Sequence, residues 1–346
     1  MKKKIIHMFA SYIGHQNNSP LQDEQKVILA GAEINGEEVV EISAVGTRTR
    51  PDLFSRQEEA DTRIFLHVTD VDQDFGKQKV RGRIIIQSPD TDVLVVAIHC
   101  YPKLQNTTAL WFQTGSTSQT GDHRRYIPVH EICNNTPPIF AQILPAIHAL
   151  TGSDTTSALY RFGKKSVMNI VGNLGVHHFN YLEQFGHSDI ETDLKIARKF
   201  IVTLYDPKGR YKMHHNDLTS LRCAMASKVN NVADLPPPES AFLQHVKRAS
   251  YQTKIWITSH LPSAPPTPIG HGWMKFDQII KPLMFDGPTA SELLAGFLCR
   301  CPGTCRDTCA CVTAMMPCCE LCSCTGDCGN KPNSNDGPHI EDQLER

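Results

Sequence analysis

The chain alternates between segments whose apolar residues recur at helical spacing and short runs that are apolar throughout. VILAGAEINGEEVVEIS reads as a β-hairpin with Asn35-Gly36 at its turn, because an Asn-Gly pair tolerates the positive φ angles of a two-residue connection. QEEADTRIFLHV follows as a helix. Ala60, Ile64, Phe65 and Val68 share one face, and acids occupy the first turn, where the helix dipole favours them. RGRIIIQS is a continuous apolar strand of the kind buried in a parallel sheet, and it runs through PDTD into the helical VLVVAIHCY. TALWFQTG and RRYIPV read as strands, and PPIFAQILPAIHAL as a helix presenting Ile139, Phe140, Ile143, Ile147 and Leu150. Strands alternating with helices predict an α/β domain over 1–188 with a mostly parallel sheet flanked by helices. Over 189–260 the signals are helical (ETDLKIARKFIVTLY, LTSLRCAMASK, SAFLQHVKRASY), with LPPPES punctuating a helix start. LPSAPPTPIGHG opens a Pro-rich linker and connector over 261–298, and the tail 331–346 lacks any periodicity and is expected to be disordered.

Composition adds little to this picture. With 40% hydrophobic and 21% charged residues and a formal charge of −1, the 346-residue chain has the make-up of an ordinary globule, so any contact with nucleic acid must be local. The opening MKKKIIHMFASYIG is too interrupted for a secretory signal, and the best apolar run, DVLVVAIHCY, is about half the ~20 residues of a membrane span. An intracellular, nuclear setting is the expectation. Cys100, Cys133 and Cys223 are scattered singly and read as small buried apolar residues. The adjacent pairs His177-His178 and His214-His215 point apart and make no two-ligand site. Ser116–Ser118 lacks the ending of a phosphate loop, and Arg124-Arg125-Tyr126 reads as a solvated strand edge as readily as a phosphate contact.

Acids gather where strands end and helices begin. Asp90 would close the RGRIIIQS strand, with Asp92 in the first turn of the next helix, a place where functional groups collect in parallel α/β sheets. An N-cap and a dipole-favoured acid would look the same. Glu59 and Asp61 form a second pair at a helix start, and Asp154 follows a helix through a Gly turn in LTGSDTTSALYRFGKKS.

The last fifth of the chain is different. From Cys299 the spacing is C-x-C-x3-C-x3-C-x-C-x6-C-x3-C-x-C-x3-C, through Cys301, Cys305, Cys309, Cys311, Cys318, Cys322 and Cys324 to Cys328, with Cys319 extra and Asn330 after it. So few apolar side chains accompany these thiols that disulfides or metal must order the segment, and a reducing compartment selects Zn²⁺.

Two resemblances follow from these strings. The cysteine spacing with its terminal C-x-N resembles the CXC module of tesmin and TSO1-like proteins. This implies that 299–330 binds about three zinc ions through the nine cysteines: twelve tetrahedral bonds need six thiolates serving one ion each and three bridging two. That family also binds DNA through a Tyr and flanking cations. Here the position is Thr308, and Arg300 and Arg306 face Asp307, Glu320 and Asp327, which argues against DNA binding by this module. The second resemblance covers about 56–171. EEADTR, SPDTDVLV and ALTGSDTTSA, in this order, are similar to the PIN-like nucleases of the flap endonuclease group, and also to uncharacterised animal proteins that carry the same strings with a CXC tail. It implies a PIN-like sheet, with Glu59, Asp61, Asp90, Asp92 and Asp154 as ligands of Mg²⁺ or Mn²⁺ and Gly163, Lys164 and Lys165 as a turn gripping the backbone of DNA or RNA. Two such ions would make a metal-dependent phosphodiesterase. The carboxylates expected from a first strand have no counterpart among Asp23, Glu24, Glu33, Glu37, Glu38, Glu41 and Asp52. A chain truncated at its N-terminus or degenerate would cleave weakly or not at all. The alternative is a non-catalytic zinc-binding scaffold or protein-interaction module.

Overall fold

Adjacent β-branched residues, Val27-Ile28 and Val39-Val40, favour the first element, an antiparallel meander. In the computed structural model β1 (Lys26–Ala30) pairs with β2 (Val39–Ser43), Ala30 opposite Val39, and β2 pairs with β3 (Gly46–Thr49). The structure describes residues 21–22, 24–30, 39–55, 60–118, 121–211, 217–226, 228–229, 231–262, 264–285, 298–313, 317–318, 322–324 and 328–330, so the Asn35-Gly36 turn and the tail 331–346 lie outside the described residues. Arg50 anchors the meander to helix α1 (Ala60–Lys77). Its guanidinium reaches Glu41 at 2.7 Å, and Asp52 and Asp70 at 2.6 Å, with Glu41 and Asp70 buried. Val39, Leu53 and Leu66 fill the space beneath.

The larger sheet has the order β4-β5-β8, with β4 (Gly82–Gln87), β5 (Thr107–Thr114) and β8 (Arg125–Pro128). Two very short strands, β6 (Thr117–Ser118) and β7 (Gly121–Asp122), form a ribbon between β5 and β8. β4 and β5 are parallel, joined through helix α2 (Thr91–Cys100), whereas β8 runs antiparallel to β5. The mostly parallel sheet expected from the sequence is therefore a mixed one. The ten residues between β5 and β8 are too few for a helical crossover, so the chain can only turn back on itself. β4 also departs from expectation. Its Ile85 is 59% exposed, because β4 is an edge strand among the described residues and only its Ile84–Ile86 face is covered. Gly82 starts this strand under the ring of Phe75. A Cβ there would come within 2.1 Å of the ring, so glycine is what lets α1 close onto β4.

Helices complete the first compact unit, residues 1–285. After α3 (Val129–Asn135), α4 (Pro138–Leu150) buries Ile143, Ile147 and Leu150. α5 (Lys164–Leu174) and a 3-10 segment (Val176–Gln184) lead to α6 (Ile190–Tyr205), α7 (Leu218–Ala226) and α8 (Glu239–Ile257). Phe200, Phe242, Val246 and Trp256 of this later stretch share one apolar core with Phe65, Val96, Phe112 and Ile143. The fully buried Asp193 ties α6 to α8: its carboxylate accepts from Ser250 Oγ at 2.5 Å and from the Gly186 N–H, and burial raises its pKa. Within the stretch read as linker, β9 (Trp273–Phe276) and β10 (Ile279–Pro282) form a hairpin held to α8 by Arg248, which donates to the carbonyls of Gly272 and Leu283. Among the described residues no helix is long and apolar enough to cross a membrane. The second unit, 286–346, contains the cysteine-rich segment.

Candidate metal centres

The C-terminal end of β4 leads directly into two aspartates, Asp90 and Asp92. Asp90 caps α2: its side chain accepts from the Asp92 N–H at 2.8 Å, while its own N–H donates to Ser88 Oγ. Asp92, in the first turn, is held by His148, whose Nε2 lies 2.6 Å from Asp92 Oδ1. His148 is itself buried in α4 and tilted against Trp256, with ring centroids 5.5 Å apart. Asp61, in the first turn of α1, joins them. Burial, then the charges of Asp90 and Asp92, a hydrogen bond with Asp90 and the charge of Asp154 all push its carboxyl above the usual range. Asp61, Asp90, Asp92 and Asp154 are thus electrostatic neighbours, while Glu59 lies outside the described residues.

Asp154 reaches this end from a rigid turn. Gly152 has φ +105°, and a Cβ would come within 2.7 Å of Ala158. Ser153 and Thr156 bond to each other through backbone and side chain, and Thr155 Oγ1 donates to Gln252 of α8 at 2.8 Å. Lys164 and Lys165 open α5 behind Gly163. Lys165 is exposed, but Lys164 keeps only its stem in solvent. Its ammonium turns inward to the carbonyls of His148 and Gly152 and to Thr151 Oγ1, closing the C-terminus of α4. Burial lowers its pKa to about 8, against the pull of Asp92. Elsewhere Arg124 is paired with Asp122 at 2.7 Å, and Glu41 and Asp52 are held by Arg50. Neither His148 nor the inward turn of Lys164 carried any signal in the sequence beyond proximity to Asp154.

The cysteine-rich unit has a core of its own kind. Its buried residues are Cys299, Cys309, Cys311, Cys318, Cys322, Cys324 and Cys328, packed with Leu298, Val312, Cys301 and Cys305. At the centre, three Sγ atoms form a triangle: Cys299–Cys305 3.5 Å, Cys305–Cys318 3.6 Å and Cys299–Cys318 3.8 Å. Two thiolates on one tetrahedral zinc, each with a Zn–S bond of ~2.3 Å, stand ~3.8 Å apart, whereas a disulfide needs ~2.05 Å. Among the described residues no disulfide joins these cysteines, and the thiols suit a metal. Three sets of four have all their Sγ atoms within 4.8 Å: Cys299, Cys301, Cys305 and Cys309; Cys299, Cys311, Cys318 and Cys322; Cys299, Cys305, Cys318 and Cys324. Cys328 borders Cys305 and Cys324.

Backbone N–H groups prepare two of these thiols for charge, Cys309 and Cys328, while burial raises Cys301, Cys305, Cys311 and Cys324. Cys309 sits at the head of the short helix α9 (Ala310–Thr313), and hydrogen bonds from the N–H groups of Val312 and Cys311 lower its thiol to about 6. The Asn330 and Cys305 N–H groups lower Cys328 to about 7. Asn330 also closes the segment: its Nδ2 donates to Cys318 Sγ at 3.2 Å, and its carbonyl accepts from the Cys318 N–H at 2.7 Å. Of the single cysteines, Cys100 is buried and Cys133 half-buried, but Cys223 is exposed, on the outer side of α7. The cysteine-rich cluster can therefore hold zinc, on a mixed α/β protein. Comparison with protein-family models, with curated proteins and with solved structures finds no match.

Proposed function

We propose that the chain is a zinc protein whose C-terminal segment carries three ions in a CXC-like thiolate cluster. The observation behind this reading is the central triangle of Cys299, Cys305 and Cys318. If these three bridge, each pair of them completes one tetrahedron with two terminal thiolates. Cys299 and Cys305 take Cys301 and Cys309; Cys299 and Cys318 take Cys311 and Cys322; Cys305 and Cys318 take Cys324 and Cys328. All nine cysteines are then used and all twelve bonds are made. The test is substitution with metal counting. Cys305→Ser, at a bridge, loses at least two ions, and Cys301→Ser, at a terminus, loses at most one; equal losses contradict the arrangement.

A second reading concerns the body, and the raised Asp61 favours it. Clustered carboxylates that repel one another are the setting in which a divalent cation binds. The reading is a PIN-like, nuclease-related domain holding Mg²⁺ or Mn²⁺ near Asp61, Asp90, Asp92 and Asp154 and associating with DNA or RNA, with little or no cleavage. Titration with Mn²⁺ of the wild type and of the Asp90→Ala, Asp92→Ala double variant tests the site, and flap and single-stranded DNA test the activity. Cleavage that the double variant loses would make it an active nuclease. Absence of Mn²⁺ binding would leave a zinc-carrying scaffold.

A further inference from the structure

Helix α2 starts at the acidic end and finishes ~15 Å away, at a second place where polar groups gather. Beyond Cys100 the chain makes a 3-10 turn, Tyr101–Lys103, before entering β5. This stretch, the second half of α1 and His260 after α8 enclose a cavity of about 280 Å³, lined by Thr69, Gln73, Cys100, Lys103, Asn106 and His260 among others. Lys103 keeps its stem in solvent and turns its ammonium inward, to His99 Nε2 at 3.0 Å and the Ile257 carbonyl at 3.4 Å. An ammonium only donates, so the buried His99 accepts through Nε2 and gives its Nδ1 proton to the Ala141 carbonyl at 3.0 Å. Two of the three ammonium protons are thereby engaged. The third is left for the cavity.

Among the described residues no carboxylate offsets this charge. Burial lowers the Lys103 pKa, and only the Cys100 sulfur pulls the other way, yet burial pushes that thiol up to about 11. Asp72 borders the cavity, but its oxygens already accept from the N–H groups of Gln105 at 3.0 Å and Asn106 at 2.9 Å and from Thr107 Oγ1 at 2.7 Å. Three imidazoles register the uncompensated cation: burial first, and the Lys103 charge next, hold His99, His187 and His260 below the usual histidine range. His260 Nδ1 is also buried without a hydrogen-bond partner in the structure. A partly buried cation is ordinarily paired, and here its pair must come from outside the chain. We propose that this cavity binds a small phosphate anion, free or as a phosphomonoester, with Lys103 donating to it and His260 and Gln73 completing its hydrogen bonds. An ammonium is a point charge, which suits phosphate, and no arginine fork lines the cavity to favour a planar carboxylate. The volume approaches the ~300 Å³ of the smallest ligand pockets, which leaves room for the alcohol of a small ester.

Titration of the full chain with inorganic phosphate at constant ionic strength, followed through amide and histidine NMR shifts, tests the proposal. Saturable shifts centred on Gln105, Asn106 and His260 are expected. Lys103→Met weakens binding ~10-fold or more, as loss of a charge-assisted hydrogen bond does, and His260→Gln, which keeps a donor, weakens it less. Glycerol 3-phosphate as a second probe separates the sources: tighter binding than phosphate assigns a monoester, weaker binding assigns the free ion, and either supports the site. If Lys103→Met fails to fold, the wild type decides, because a bound anion favours the imidazolium and raises the His260 pKa. Equal affinity in the Lys103→Met chain overturns the proposal, as do shifts that never saturate or that centre on Lys79–Arg83 or Lys164-Lys165. An unchanged His260 pKa at saturating phosphate overturns it too.

Discussion

The two units keep themselves folded by different means. The body buries Phe65, Phe112, Phe179, Phe200 and Trp256, which is ordinary apolar burial on a sheet and helices. Among the described residues the C-terminal unit buries cysteines, with Leu298 and Val312 partly buried against them. A thiol buries little area, and thiols gathered as Cys299, Cys305 and Cys318 are, at 3.5–3.8 Å spacings, gain nothing from each other as thiols. As thiolates they repel unless a cation lies between them. The body can therefore be perturbed side chain by side chain, whereas on the proposed reading the small unit stands or falls with the zinc its cysteines would hold.

Chelation should give the largest contrast. Removing zinc from the full chain abolishes the exchange protection of 299–330 and leaves the far-ultraviolet helix signal of the body in place, since apparent binding energies of ~10–16 kcal/mol per structural zinc sustain such modules. Loss of both signals together would show that the units are coupled. In the other direction, Phe200→Ala empties a fully buried site and lowers the body's stability to urea by ~3–5 kcal/mol while the zinc count stays unchanged. Arg50→Ala comes next, at ~3 kcal/mol, because it leaves Asp70 buried without its cation and Glu41 with Arg48 alone. Its signature is preferential loss of exchange protection in β1–β3.

The smallest effect is the most diagnostic for the acidic end. Asp61 titrates above its ordinary range in the folded protein, so the folded state binds more protons than the unfolded one between the two values. Stability accordingly falls as pH rises through that window, and the full cost is present above it. Asp61→Asn flattens this dependence and stabilises the body at pH 7 by less than about 1 kcal/mol, because solvent screens a group this open. In Mn²⁺ the sign reverses: the wild type gains thermal stability and the variant does not. Thermal melts from pH 4 to 7, with and without Mn²⁺, measure both.

Legibility differed between the units for physical reasons. Spacing alone located the cysteine unit, because metal ligands close together in sequence leave few arrangements. Periodicity located α1, α2 and α4 and put Asp90 and Asp92 at a strand end, since caps and dipoles act locally. Three features depended on tertiary partners and were not legible. Ile85 looks buried in IIIQ but faces solvent, because only the Ile84–Ile86 face of β4 is covered. Lys164 reads as a phosphate-gripping lysine yet caps α4. The hairpin of β9 and β10 turns on Asp277-Gln278, at φ +45° and +69°, where the Asn-Gly signature of such turns is absent.

The central claim is that nine thiolates share three zinc ions, and native mass spectrometry of the full chain purified without chelator tests it most directly. Three zinc ions per chain are predicted, with Cys299, Cys301, Cys305, Cys309, Cys311, Cys318, Cys322, Cys324 and Cys328 resisting alkylation until the metal is removed. A metal-free mass lowered by paired hydrogens, as disulfides would give, contradicts the claim outright. Two ions per chain would contradict the shared ring of Cys299, Cys305 and Cys318.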